Sequence, residues 1–332
     1  MQGEPRARPL VSVALGTHNG SRHLLEQLAS ILAQTVPVDE IVLSDDDSRD
    51  GTVELASRRM AEHWADGGTT TLRVIRNAKA LGVTANFEQA LLGTSGEYLV
   101  LCDQDDVWHP DRVARSLERF ASQQDLLLVA SDARLIDDDG TPLGHALFEA
   151  IGIDARLARR LQGGDAFGEL LRRNLVTGAT VMLRRRLLEQ ATPFPDSWVH
   201  DEWLAIVAAL HRGVGVIHEP LIDYRQHASN QIGAAKITAR ARIRRLTVSR
   251  TARNARLLAR AQALADRVAE VGADAGQRRL VHQKLVHERV RNALPPERHR
   301  RLVPVLREWR TGRYRAFGRG AQDVLRDLVQ PV

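Results

Sequence analysis

At 332 residues, 43% hydrophobic and 27% charged, the chain is composed like a globular protein with a full core, which excludes a disordered one and any need for disulfides or oligomerisation to fold. No uninterrupted apolar run approaches the roughly 20 residues of a bilayer-crossing helix, which excludes an ordinary membrane span. The net charge of +6 hides a split: Lys236 onward holds 24 Lys and Arg against 8 Asp and Glu, a tail of about +16 after a part of about −10, so chemistry is expected in the acidic part and contact with something anionic in the basic part.

Met1 to Pro9 is polar and leads straight into a strand-like run, so no signal peptide is expected. The lone cysteine, Cys102, suits a reducing compartment, and the cytoplasm is the expected location. Leu10 to Leu15, Glu40 to Leu43, Thr71 to Ile75, Tyr98 to Cys102 and Leu126 to Ala130 are short Val/Ile/Leu-rich runs that read as buried strands. Helical patterns lie between them: Leu24 to Leu32, Val53 to Trp64 and Asn86 to Leu92. This alternation predicts an α/β fold, a mostly parallel sheet with helices on both faces, in which ligands bind beyond the carboxyl ends of the strands. Further on, Ala179 to Leu183 reads as a strand, and His200-Asp201-Glu202-Trp203 opens a helix to about His211. A catalytic region spanning 1–235 is expected, followed by a basic helical region over 236–332 with breaks at Gly272 to Gly276 and at Pro295-Pro296.

Polar clusters follow the strands. Asp103-Gln104-Asp105-Asp106 puts three carboxylates at the end of an apolar strand, an arrangement that costs stability unless a cation neutralises it. Hard oxygen ligands in an open turn suit Mg²⁺ or Mn²⁺, which keep positions open for substrate phosphates. The plain alternative is a solvated turn capping the next helix. Asp45-Asp46-Asp47-Ser48-Arg49-Asp50-Gly51-Thr52 likewise opens a helix; one cap needs one Asp, and the surplus carboxylates can accept from ribose hydroxyls or a base N–H.

Val11-Ser12-Val13-Ala14-Leu15-Gly16-Thr17-His18-Asn19-Gly20, then Ile41 through Thr52, then Leu101-Cys102-Asp103-Gln104-Asp105-Asp106-Val107-Trp108, together resemble the inverting family 2 glycosyltransferases in order, spacing and placement across residues 10 to 233. The Asp-Gln-Asp-Asp-x-Trp form is similar to a rhamnosyltransferase-like branch. The resemblance implies the Rossmann-like GT-A fold, a nucleotide-sugar donor, inversion in one displacement and a divalent metal. It places Thr17 and Asn19 in the nucleotide pocket, Asp45 and Asp46 on base and ribose, and Asp103 and Asp105 in the metal and diphosphate motif, with Asp105 the direct ligand. Gly16, His18 and Asp47 depart from the family's usual Pro, aromatic and Gly.

An inverting displacement needs a base for the acceptor hydroxyl. The resemblance assigns Asp201, with Glu202 second; the bland alternative is a helix cap. After a strand-like Val214 to Ile217 and a Pro turn comes Tyr224-Arg225-Gln226-His227; related transferases are similar in having a His after the last strand, which makes His227 the third metal-ligand candidate and Arg225 a diphosphate contact, with a satisfied surface histidine as the alternative. Lys79 could face the diphosphate, and Thr177-Gly178-Ala179 looks like the acceptor-side loop. In the tail, Arg240, Arg242, Arg244, Arg245, Arg250, Arg253, Arg256 and Arg260 surround apolar positions. Three readings stand: an interfacial helix on an anionic membrane, bringing the enzyme to a lipid-linked glycan acceptor; packing on the catalytic domain; and nucleic-acid binding. Alternatives to the transferase are a metal-dependent nucleotidyl or phosphoryl transferase and a non-catalytic sugar- or nucleic-acid-binding module.

Overall fold

A computed structural model of the chain describes residues 8–226 and 249–331. Nine strands form one sheet: β1 (Val11–Thr17), β2 (Glu40–Asp45), β3 (Thr71–Arg76), β4 (Tyr98–Cys102), β5 (Val107–Trp108), β6 (Leu128–Ile136), β7 (Pro142–Ala146), β8 (Val181–Arg184) and β9 (Val214–Arg225), in the order β3-β2-β1-β4-β8-β6-β9-β5 with β7 on β6. The first four strands are parallel, as the sequence predicts. Beyond β4 the sheet turns mixed: β8 is antiparallel to β4 and β6, β9 runs parallel to β6, and β5 is antiparallel to β9. The pairing of β9 with β6 runs through two register shifts and past Pro220, which reads in sequence as a turn.

Alternation along the strands sends side chains to two cores. Val11, Val13 and Leu15 of β1 and Val100 of β4 face one; Ala14, Leu99 and Leu101 face the other. Helices α1 (Leu24–Leu32), α2 (Thr52–Ala65) and α4 (Arg112–Ser122) close the first, each through an apolar stripe such as Leu24, Leu28 and Ile31. The second is covered by α3 (Val83–Leu92) and by α9 (His200–Leu210), with the short helices α5 (Leu147–Ile151), α6 (Ala155–Gln162), α7 (Ala166–Arg172) and α8 (Arg185–Ala191) around them. Every residue of α9 except Glu202 is buried, so this helix is held from all sides and its first turn is fixed in place.

The tail helices are α10 (Arg250–Arg267), α11 (Ala275–Asn292), α12 (Arg298–Arg310), α13 (Arg313–Phe317) and α14 (Ala321–Val329). They pack on the catalytic half: Leu264, Val268, Val271, Val281 and Phe317 belong to the same core as α9. Arg267 donates to the carbonyls of Pro193 (3.0 Å) and Thr192 (3.1 Å), and Gln277 donates to that of Leu210 (2.8 Å). Arg240, Arg242, Arg244, Arg245 and the 235/236 boundary lie outside the described residues.

Candidate active site

The carboxyl ends of β1, β2 and β4 carry the expected clusters, and side chains knit them together. Thr17 Oγ1 donates to Asp45 Oδ1 (2.8 Å), and the Asn19 amide donates to Ser48 Oγ (2.8 Å). Asn19 Oδ1 accepts from the Arg49 amide (2.9 Å). Gln104 makes a two-way amide pair with the His18 backbone, accepting from N (2.8 Å) and donating to O (3.1 Å). Gly20 is required for that approach, because a Cβ there would fall 2.3 Å from Gln104 Oε1. Asp47, standing where the family usually has Gly, adopts a left-handed φ of 63°, which Asp tolerates better than most residues. Burial pushes the Asp50 carboxyl up, but hydrogen bonds from Thr52 and Ser21 outweigh it and hold the group at about 2, ionised at the start of α2.

Asp45 and Asp46 are buried and turned on protein donors. Asp45 also accepts from the Ser48 amide (3.0 Å). Asp46 takes the amides of Leu81 (2.7 Å) and Gly82 (2.9 Å) and Asn77 Nδ2 (3.2 Å), which fixes the 77–82 loop; Lys79 rides exposed on it.

The Asp103 turn is electrostatically strained. Burial pushes the half-buried Asp103 carboxyl up to about 7, and the charges of Asp105 and Asp201 add to it. Asp106 is raised well above the carboxylate range, first by burial and then by Asp105 and Asp103. Its Oδ1 accepts from the Arg225 amide (3.0 Å), while Oδ2 has no partner among the described residues. Arg112 beneath the turn offsets part of this; it stacks on Trp108 (4.0 Å) and donates to the Leu101 carbonyl (3.3 Å), and burial lowers it to about 10.

Asp201 lies near enough for its charge to raise Asp103. It accepts from the amides of Gly178 (2.9 Å) and Glu202 (2.7 Å), yet burial outweighs those bonds and lifts it to about 6. Gly178 of the Thr177-Gly178-Ala179 loop sits where a Cβ would be 3.0 Å from His200 Nε2. His200 stacks on Phe87 at 4.1 Å and 15°, and Phe87 in turn fills the space a side chain at Gly16 would take. Burial depresses His200 to about 3, so its imidazole is neutral. Sequence reasoning passed over this histidine; its place directly before Asp201 was the available signal.

No three His, Cys, Asp or Glu side chains converge as a ready cation cage among the described residues, and His227 lies outside them. The donor chemistry nevertheless fits a hard divalent ion: carboxylates that repel one another in one turn, with the buried Asp106 Oδ2 left without a partner. This strain has a measurable cost. Because Asp103 binds its proton more tightly folded than unfolded, stability falls as pH rises from about 4 to about 7 and stays lowered above. Asp103→Asn should therefore stabilise metal-free protein at pH 8 by roughly 2 kcal/mol after discounting for solvent, read as a higher melting temperature, and leave stability unchanged near pH 4. An equal shift at both pH values would contradict the assignment.

The model of "Glycosyl transferase family 2" matches residues 12–191, just over half the chain. The chain belongs to this family. Among curated family relatives, the putative glycosyltransferase EpsE of Bacillus subtilis is 30% identical over 132 residues, 40% of this chain and 46% of that one. The putative teichuronic acid biosynthesis glycosyltransferase TuaG of the same organism is 24% identical over 240 residues, 70% of this chain and 86% of its own. Among solved structures, the mannosyltransferase PcManGT of Pyrobaculum calidifontis, in complex with GDP-Man and Mn²⁺, superposes with a TM-score of 0.53 at 19% identity, covering 97% of this chain and 79% of that one; the likeness shows the GT-A fold.

Two of the family-based residue expectations meet a different environment. Arg225 is 2% exposed, and its guanidinium is engaged by the carbonyls of Asp105 (2.8 Å), Asp137 (3.3 Å) and Asp138 (2.9 Å) and by Glu26 (2.7 Å). It braces the acidic turn from behind instead of reaching toward a diphosphate. Glu202, the second choice for the base, is ion-paired with Arg260 of α10, so its carboxylate is held by the tail. Arg260 also stacks on Trp198 (4.2 Å), whose Nε1 donates to the Arg260 carbonyl (3.0 Å).

Proposed function

We propose that this glycosyltransferase moves a sugar from a nucleoside-diphosphate donor to an acceptor hydroxyl with inversion, in the assembly of a surface polysaccharide or glycolipid. The single observation that carries the reading is the placement of a buried carboxylate, Asp201 at the start of α9, near enough to Asp103 at the tip of β4 for its charge to raise that group. A carboxylate near 6 opposite an acidic diphosphate motif suits a base at neutral pH. Asp201 takes the acceptor proton as the new glycosidic bond forms, and the nucleoside diphosphate leaves with the electrons of the bond it breaks. Thr17, Asn19 and the loops pinned by Asp45 and Asp46 shape the nucleotide pocket, and Lys79 is near enough in the chain to the Asp46-bound amides to meet the diphosphate. Asp103 and Asp105, with His227, would hold Mg²⁺ or Mn²⁺, which neutralises the diphosphate charge when bound. The Mn²⁺ and GDP-Man of PcManGT and the teichuronic acid pathway in TuaG's name support this reading. The Asp-Gln-Asp-Asp-x-Trp motif favours a deoxyhexose such as rhamnose as the sugar.

The test is a thermal-shift screen of UDP-, dTDP- and GDP-sugars with and without Mn²⁺, followed by product analysis of the donor that binds. A ligand at 100 times its Kd stabilises by about 2.7 kcal/mol. Release of free nucleoside diphosphate and inverted sugar is expected; release of pyrophosphate, or no metal-dependent stabilisation by any donor, would overturn the proposal.

A further inference from the structure

The tail's charge is unevenly placed. Four of its eight acidic residues, Glu288, Glu308, Asp323 and Asp327, are buried together with four basic ones, Arg250, Lys284, Arg291 and Arg301, so the outer surface keeps the tail's basic excess with few acidic groups to offset it. The effect is concentrated on α12 and α13, where residues 298–319 hold eight arginines and one acidic residue, the buried Glu308.

On α12, Arg301, Val305 and Glu308 face inward. Beside that inward stripe the helix exposes Leu302 (50%) and Trp309 (51%) with Leu306 half-buried next to them, and Val303 (54%) is exposed on its far side. At 100° per residue Leu302, Leu306 and Trp309 fall within an arc of about 60°, with the exposed Arg298 on one edge, the exposed Arg310 on the other and the exposed Arg307 farther round beyond Arg310. Large exposed apolar side chains in a row, ended by a tryptophan and flanked by arginines, are the makeup of a helix that lies in a membrane interface. The chain's own segment 227–248 carries five basic and no acidic side chains, so like charge opposes its covering this face.

We propose that α12 is a membrane-docking helix that lies flat on an anionic lipid surface, burying Leu302, Leu306 and Trp309 among the acyl chains while its arginines meet lipid phosphates. This moves the docking role away from the helix around Arg250 to Arg260. There three of the four arginines are engaged within the protein, with Arg256 exposed: Arg250 donates to the Leu294 (2.5 Å) and Pro295 (2.9 Å) carbonyls, Arg253 pairs with Asp327 (3.2 Å) and Arg260 with Glu202. The inference does not depend on the reaction proposed above.

The full chain should co-sediment with vesicles of phosphatidylcholine containing about 30% phosphatidylglycerol, and added salt should release it. Trp309→Ser with Leu302→Ser, and separately Arg307→Glu with Arg310→Glu, should each weaken binding at least about tenfold, since two basic residues contribute about 1 kcal/mol apiece near such a surface. All four positions are exposed, so melting temperatures should stay unchanged and report intact folding. Equal binding to pure phosphatidylcholine, or wild-type binding by either pair of variants, would overturn the proposal. So would a dimer that Trp309→Ser dissociates, which would make the face a contact between copies, or retention on duplex DNA that competes with vesicles and ignores Trp309→Ser.

Discussion

Asp201→Asn should lower the transfer rate by about two to four orders of magnitude while donor binding, read by thermal shift, persists. The asymmetry follows from where the carboxylate sits. Its two oxygens meet the Gly178 and Glu202 amides, and the donor-side loops around Asp45, Asp46 and Gln104 are held by bonds that do not involve it. The wild-type rate should fall about tenfold per pH unit below about 6, because burial raises the Asp201 carboxyl and only its ionised form accepts a proton. Stability should move the other way. The folded state favours the neutral acid, so the cost of charging it grows between about 4 and about 6 and is constant above. Asp201→Asn removes that charging cost at pH 8 but turns its NH2 toward either the Gly178 or the Glu202 amide, and the lost hydrogen bond, about 1–3 kcal/mol, offsets the gain. Loss of donor binding along with activity would make Asp201 a structural residue, and full activity in the variant would remove it from the mechanism.

The parallel half of the sheet was legible because β1, β2 and β4 are largely apolar runs, each followed by a polar cluster; β3, expected to be buried, is an edge strand that carries Arg73 and Arg76 and has no buried residue. The acidic turn was legible because three carboxylates after Cys102 have no structural need to be together. What composition could not show was how backbone groups use those carboxylates. Asp46 reads as a ligand for a nucleoside, yet it binds two amides of a loop 35 residues away. Arg225 reads as a phosphate contact because arginine usually seeks anions, yet four of its bonds are made to carbonyls and Glu26 behind the turn. Glu202 reads as a spare base beside Asp201, and the long-range pairing with Arg260 has no signature in local sequence. Of the antiparallel strands, β8 falls on the expected Ala179 to Leu183 run, while two escaped for a related reason: β5 is two residues long, and the exposed β7 lacks an apolar run.

Asp327→Ala should destabilise the tail by about 3–5 kcal/mol, the range for breaking a buried ionic cluster by deleting one partner. Asp327 is fully buried and accepts from Arg291 Nε (2.7 Å), Tyr314 Oη (2.8 Å) and Arg253 Nη2 (3.2 Å). Around it lie Lys284 with Glu288 (2.8 Å) and His287 with Glu308 (2.7 Å), while the local apolar cluster comprises Leu294, Val305, Tyr314 and Val324, with Leu328 partly buried against it. So small an oily core cannot by itself fix how α12 and α14 meet the other tail helices, and deleting the carboxylate leaves Arg291 as a buried cation with weaker partners, Glu288 at 3.2 Å and Asp323 at 4.0 Å. Asp327→Asn keeps an acceptor for Tyr314 and should cost less. Hydrogen exchange should locate the loss in residues 298–329, with the β1–β4 half still protected, because that half has its own two-faced core. The network also keeps acidic groups away from the outer surface, so the same substitution should loosen α12 and reduce its binding to anionic vesicles. A change below about 1 kcal/mol in urea unfolding would mean that the apolar contacts alone hold the tail in place.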